Sequence, residues 1–139
     1  MLKCLYEDTG GRKQGKYNDP KFIVKVADRH PELKIVIAHY FFPRVEYCHG
    51  MTRPYENIYF DTSGLADDEV IAATGLQNIR EILALTAKER PSNVVFGTDY
   101  AQGSIKKHVV LIELVELSRE SKERIFFRNS IQLFKLRLK

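Results

Sequence analysis

One imidazole and three carboxylates stand at matching places in this sequence. Four short apolar runs lead into residues able to do chemistry: Leu2–Tyr6 into Glu7-Asp8, Ile35–Ala38 into His39, Ile58–Phe60 into Asp61, and Val94–Phe96 through Gly97-Thr98 into Asp99. Imidazole nitrogen and carboxylate oxygen suit zinc, and a carboxylate-rich set also suits manganese or iron. A metal held by about three protein ligands with one open position acidifies its bound water toward neutral pH. A carboxylate beside it can orient that water and carry its proton to a leaving group. If the four runs are parallel strands, Asp8, His39, Asp61 and Asp99 share one rim. That set is half of what a metal-dependent hydrolytic site requires.

The elements that would position them follow from the residues between. Short apolar runs separated by helical stretches are the pattern of buried parallel strands joined by helical crossovers. In such architectures functional groups gather at the carboxyl ends of the strands. Gly10-Gly11 and Gly15 mark a polar loop after the first run. Asp19-Pro20 combines a capping side chain with proline at the first helical position. The helix it opens puts Ile23, Val26 and Ala27 on one face and must stop near Pro31. Leu33–Ala38 reads as the second strand, 44–52 as a short helix with Val45 and Cys48 on one side, and Asn57–Phe60 as the third strand. Asp67-Asp68 caps a short helix ending at Gly75, and Leu76, Ile79, Ile82 and Leu83 mark another that stops before Pro91. Asn93–Phe96 is the fourth strand, Ser104 caps a helix carrying Ile105, Val109 and Ile112, and a last helical tract spans 119–137 with a break near Asn129. The order predicts an α/β fold: a parallel (β/α)4 arrangement in a single domain over residues 1–139.

Composition narrows the class. The 139 residues suffice for one core, but a complete eight-stranded βα barrel takes about 250. Hydrophobic residues make 44% and charged ones 29%, a soluble globular profile. No apolar run nears the roughly 20 residues of a membrane span. The net charge is +4, yet Lys and Arg alternate with Glu, as in Arg119-Glu120-Ser121-Lys122-Glu123-Arg124. That alternation predicts a solvated helix face, not a nucleic-acid surface. Cys4 and Cys48 form neither a CxxC pair nor a disulfide framework, and the first residues do not read as a signal peptide. A cytoplasmic setting is the expectation.

Four phrases carry a family resemblance. They are Pro31-Glu32-Leu33-Lys34-Ile35-Val36-Ile37-Ala38-His39, Asn57-Ile58-Tyr59-Phe60-Asp61-Thr62-Ser63, Val94-Val95-Phe96-Gly97-Thr98-Asp99-Tyr100, and Lys122-Glu123-Arg124-Ile125 followed by Asn129 and Leu133-Phe134. Their order and spacing make the chain, from Tyr17 on, resemble the carboxyl half of the metal-dependent amidohydrolase family, amidohydrolase-2 branch. The resemblance implies the second half of a TIM barrel binding a divalent metal, zinc for preference, at its strand ends. It implies His39 as metal ligand or carbonyl polariser, and Asp99 as ligand and catalytic base. Asp8, within Asp8-Thr9-Gly10, falls where the family has a histidine and is at best a replacement ligand. The family's first-strand HxH pair has no counterpart in this sequence. Weak or partial zinc binding is therefore expected.

Plainer readings stand beside these. A lone histidine ending an apolar run is often a hydrogen-bonded core residue, and Asp99 after Gly97-Thr98 could cap a turn. Asp61 reads as turn chemistry in Asp-Thr-Ser-Gly. His49 beside Gly50 is expected to be exposed, His30 to end a helix, His108 to lie within one, and Cys48 to be buried. Tyr40-Phe41-Phe42 walls a substrate pocket or packs beneath the rim. Three functions remain open: a metal-dependent hydrolase or related decarboxylase acting on a small molecule, a noncatalytic remnant or subunit, and an unrelated anion-binding α/β domain. The last is weakest, since no GxGxxG or GxxxxGK[ST] phrase is present. A half-barrel should pair, as a homodimer or with a partner half-barrel, and no nucleic acid or membrane is expected as a partner.

Overall fold

The computed structural model describes residues 19–137 apart from Pro43. The strand expected over 2–7, the Gly10-Gly11 loop, Cys4 and Asp8 lie outside the described residues. Among the described ones, three strands form one sheet in sequence order: β1 Ile35–Ile37, β2 Ile58–Asp61 and β3 Val94–Val95. Both pairings are parallel, with Ile37 opposite Phe60 and Asp61 opposite Val95. The chain is thus an α/β fold with a small parallel sheet, and the four-strand count is not reached among these residues.

Helices form where the local signals place them. Helix α1 (Pro20–Arg29) starts at Asp19, whose Oδ1 accepts the Lys21 N–H at 2.9 Å. Next come α2 (Val45–Thr52), α3 (Asp68–Thr74) and α4 (Leu76–Glu89), the last two separated by Gly75 at φ +86°. Helix α5 (Ile105–Leu114) is capped by Ser104, whose hydroxyl accepts the Lys107 N–H at 3.4 Å. Then α6 (Arg119–Glu123) runs through a π-helical turn (Arg124–Arg128) into α7 (Asn129–Phe134). The break expected near Asn129 is this π turn, just ahead of it.

The two faces of the sheet have different fates. Ile35, Ile37, Ile58, Phe60 and Val94 join one buried cluster with Ile23 and Ala27 of α1, Val45 and Cys48 of α2, and Ile79 and Leu83 of α4. Burying such side chains contributes roughly 1.5–3 kcal/mol each. The alternate residues Val36, Asp61 and Val95 line an open cavity instead. The sheet is thus covered by helices on one face and open on the other. Two faces were misassigned from periodicity. Val26 is exposed although Ile23 and Ala27 are buried, and α5 buries His108, Leu111 and Ile112 while Ile105 and Val109 face out.

Polar side chains tie the ends opposite the rim. Asn57 Nδ2 donates to the carbonyls of Ala27, His30 and Leu33 at 3.1–3.3 Å. Asn93 Nδ2 donates to Glu56 and Ile58 carbonyls at 2.8 and 2.7 Å. Arg90 holds the Thr52 and Tyr55 carbonyls at 3.1 and 2.6 Å and also reaches that of Ile58. Connecting loops have no ladder of their own, so side chains must satisfy their carbonyls. No helix among the described residues is long and apolar enough to cross a membrane.

Candidate functional site

The rim is built where β1 and β2 end. The register that sets Ile37 beside Phe60 carries His39 next to Asp61 and Ser63. The His39 backbone N–H donates to Asp61 Oδ1 at 3.1 Å. The same oxygen accepts the Ser63 N–H at 3.0 Å and the Ser63 hydroxyl. One carboxylate oxygen thus fastens the ends of two strands. This adds a partner in the turn just past β1 to the turn role expected of Asp61. The spacing of Asp61 and Ser63 signals an Asx-type turn. The bond to His39 depends on register and is invisible in the local sequence.

The His39 imidazole is held in one tautomer. Its Nδ1 lies 3.0 Å from the Ser63 carbonyl oxygen and 3.1 Å from the Ser63 hydroxyl. A carbonyl only accepts, so Nδ1 carries the proton and donates. In the neutral ring Nε2 then bears a bare lone pair. That atom is buried and has no hydrogen-bond partner among the described residues. A backbone carbonyl on one ring nitrogen and a free lone pair on the other is the usual arrangement of a metal-ligating histidine. Gly64 makes room for it: a Cβ there would stand 2.9 Å from His39 Nδ1, and the residue sits at φ +73°.

The backbone presenting His39 is strained. His39, Tyr40 and Phe41 have φ of 58°, 49° and 58°, three consecutive left-handed residues that are not glycine. Such a conformation costs roughly 1–2 kcal/mol per residue. The surroundings hold it in place. Tyr40 and Phe41 are fully buried and Phe42 nearly so, which settles their role as packing beneath the rim. Tyr40 stacks on Phe60 with centroids 4.2 Å apart, and its hydroxyl bonds to Thr86 Oγ1. Burial raises the Tyr40 pKa far above the ordinary phenol value, so the hydroxyl stays protonated.

Asp99 lies at the end of β3, also in left-handed backbone at φ 51°. Its carbonyl accepts the Gln102 and Gly103 N–H groups, each at 2.9 Å. It shares a cavity of about 500 Å³ with Asp61, Ser63, Val36, Val95, Phe96, Lys34 and Phe134. His39 does not line that cavity; it borders it through Ser63 and Asp61. Thr62 joins the β2 and β3 ends, its hydroxyl donating to the Gly97 carbonyl at 3.0 Å. No group of three or more His, Cys, Asp or Glu side chains able to hold a metal occurs among the described residues. His39 therefore fits a metal as one ligand, and the described residues alone do not complete a set.

Two further histidines are also buried. His49 is buried, contrary to the expected exposure, because α2 packs it against α4. Its Nδ1 meets Thr86 Oγ1 at 3.0 Å and its Nε2 faces Glu89 at 3.4 Å. Burial lowers its pKa, with Glu89 opposing. His108 is fully buried within α5, with Nδ1 donating to the Ser104 carbonyl at 2.8 Å.

A parallel sheet in sequence order with helices between its strands defines a βα architecture. The sequence profile of the amidohydrolase family matches residues 10–136. The chain belongs to that family. Among solved structures, it is similar to the 5-carboxyvanillate decarboxylase LigW from Sphingomonas paucimobilis, with a TM-score of 0.54 and 21% identity. The match covers 88% of this chain and 40% of that one, so the chain spans less than half of the decarboxylase's length. At that identity the likeness is one of fold. No curated protein matches the chain.

Proposed function

We propose that this chain carries the carboxyl-half share of a metal-dependent amidohydrolase site and acts as a hydrolase on a small molecule only together with another half-barrel. The observation that carries the reading is His39, whose Nδ1 proton is committed to Ser63 while Nε2 is left bare and buried. His39 and Asp99 are the proposed ligands from the described residues, and Asp8 a third from outside them. A divalent metal, zinc for preference, supplies Lewis acidity and an acidified water when bound. Asp99, on the cavity wall, accepts the proton of the attacking water and returns it to the leaving group. Ser63 keeps the imidazole oriented, and Asp61 holds the His39 backbone N–H. With no HxH pair in the sequence, metal binding by the chain alone is weak or substoichiometric.

Two other readings each have one observation in their favour. A noncatalytic remnant accords with the missing three-ligand group among the described residues. A decarboxylase accords with the similar solved structure being named as one. Calorimetric zinc titration of the chain, His39→Ala and Asp99→Asn tests the site. Weak binding that both substitutions abolish is expected. Tight, stoichiometric binding that survives both overturns the assignment. Turnover of a carboxylated phenol rather than of an amide or ester, with a partner half-barrel present, would favour the decarboxylase.

A further inference from the structure

We propose that Thr86, on α4, is a positioning residue for His39 and acts through the Tyr40 hydroxyl. The proposal draws its functional meaning from the metal-facing reading of His39, but its geometric content stands apart from that reading.

Thr86 is fully buried and is the hub of a hydrogen-bonded chain linking three elements. Its Oγ1 meets the Tyr40 hydroxyl, His49 Nδ1 at 3.0 Å and the Ile82 carbonyl at 2.8 Å. His49 Nε2 faces Glu89 at 3.4 Å, and Glu89 pairs with Arg53 at 2.7 Å. The chain therefore runs from a surface ion pair, through α2 and α4, to the residue that follows His39. Tyr40 O–H donates to Thr86 Oγ1, and the single Thr86 hydroxyl proton goes to the Ile82 carbonyl, which only accepts, so Thr86 is itself anchored on α4.

The need for such an anchor comes from the backbone. Three successive side-chain-bearing residues in left-handed conformation persist only where the surroundings over-determine them. His39 is fixed from the β2 side by Asp61 and Ser63. Tyr40, the middle residue of the strained turn, is fixed on the far side by its ring on Phe60 and its hydroxyl on Thr86. Ring stacking alone lets the phenol slide and turn in its plane. The hydroxyl bond fixes its reach and thereby the backbone torsions shared with His39. Loosening Tyr40 lets the turn relax, and the imidazole leaves the Ser63 carbonyl that selects its tautomer.

The test reads the imidazole directly in the metal-free, full-length chain. Long-range proton–nitrogen correlation of the 15N-labelled protein at pH 7.5 should show His39 in the Nδ1-protonated form, assigned by its loss in His39→Ala. Thr86→Val should shift His39 toward a mixture of tautomers, and Thr86→Ser should restore the wild-type pattern. Tyr40→Phe, which keeps the Phe60 stack, should reproduce the Thr86→Val shift and serves if that variant folds poorly. Zinc affinity should drop about 10–100-fold in Thr86→Val, the usual range for a group supporting a ligand. An unchanged His39 pattern in Thr86→Val or in folded Tyr40→Phe overturns the proposal. If the pattern shifts but His39→Ala leaves zinc binding intact, the positioning holds and the metal reading falls.

Discussion

His49 illustrates how a residue's surroundings decide what its type leaves open. A histidine beside glycine on a short helix reads as exposed, but α2 turns it onto α4, where Thr86 and Glu89 receive it. Burial favours the neutral ring and lowers its pKa; Glu89 pulls the other way, and Arg90 and Arg53 add to the lowering. A histidine with a depressed native pKa binds fewer protons folded than unfolded. Its contribution is therefore fully present above the unfolded value, about 6.5, and is lost as the pH falls from there toward the native pKa. The urea midpoint of the wild-type chain should fall between pH 7.5 and pH 5.5 by more than that of His49→Gln. Parallel behaviour of the two proteins would show that His49 titrates alike in both states. His39 was easier to find, because it ends an apolar run inside a recognisable phrase. Asp61 ends a run of the same kind, but its bond to His39, and that of Ser63, arise only once β1 and β2 are in register.

At the scale of elements, the π turn between α6 and α7 has a structural task. Within it, the Ile125 carbonyl accepts the Phe96 N–H at 2.9 Å, beside the end of β3. One turn on, Asn129 Nδ2 donates to the Val94 and Pro91 carbonyls at 2.7 and 2.9 Å. The Asn93 and Val95 carbonyls pair with β2, so Val94 and Phe96 point to the opposite edge. That edge is covered by the chain's own helical tract. Asn129→Ala leaves two carbonyls short of a donor, one of them buried, and should cost about 1–3 kcal/mol. Chemical denaturation checks this; a loss below about 0.5 kcal/mol, the range of ordinary surface substitutions, would deny Asn129 the role. The sequence announced the tract and a break near Asn129, because charged residues spaced along a helix are visible in one dimension. It could not announce the edge contact, in which Asn129 reaches residues 35 and 38 positions away. Helix starts were legible for a related reason: Asp19-Pro20 and Ser104 act on their nearest neighbours. Strands came out shorter than expected, Leu33–Ala38 shrinking to Ile35–Ile37, since pairing and not hydrophobicity sets their ends.

For the whole molecule, covering the β3 edge changes how a half-barrel should associate. Edge-to-edge addition at β3 would have to displace Asn129 and Ile125. The inner face remains: a cavity of about 500 Å³ lined by Val36, Val95, Phe96 and Phe134, among others. Phe134 is 56% exposed despite sitting at the mouth of this surface. Parallel sheets ordinarily have both faces covered, and an open apolar face favours pairing with another chain. The similar decarboxylase is more than twice as long as the matched part, in keeping with a barrel that needs more wall than these residues supply. We propose that the chain associates through the inner face, as a two-fold homodimer or with a partner half-barrel. Sedimentation velocity at low micromolar concentration should give a dimer for the chain by itself. Phe134→Glu should shift it to monomer, because it sets a charge within the buried face. Phe127→Glu should leave it dimeric, because Phe127 is 47% exposed and lies outside the cavity lining. A stable wild-type monomer would overturn the association, and equal disruption by both substitutions would place the contact elsewhere. A homodimer would bring two copies of His39 and Asp99 into one assembly but no HxH pair. Association without efficient hydrolysis is therefore the expected behaviour of the chain alone.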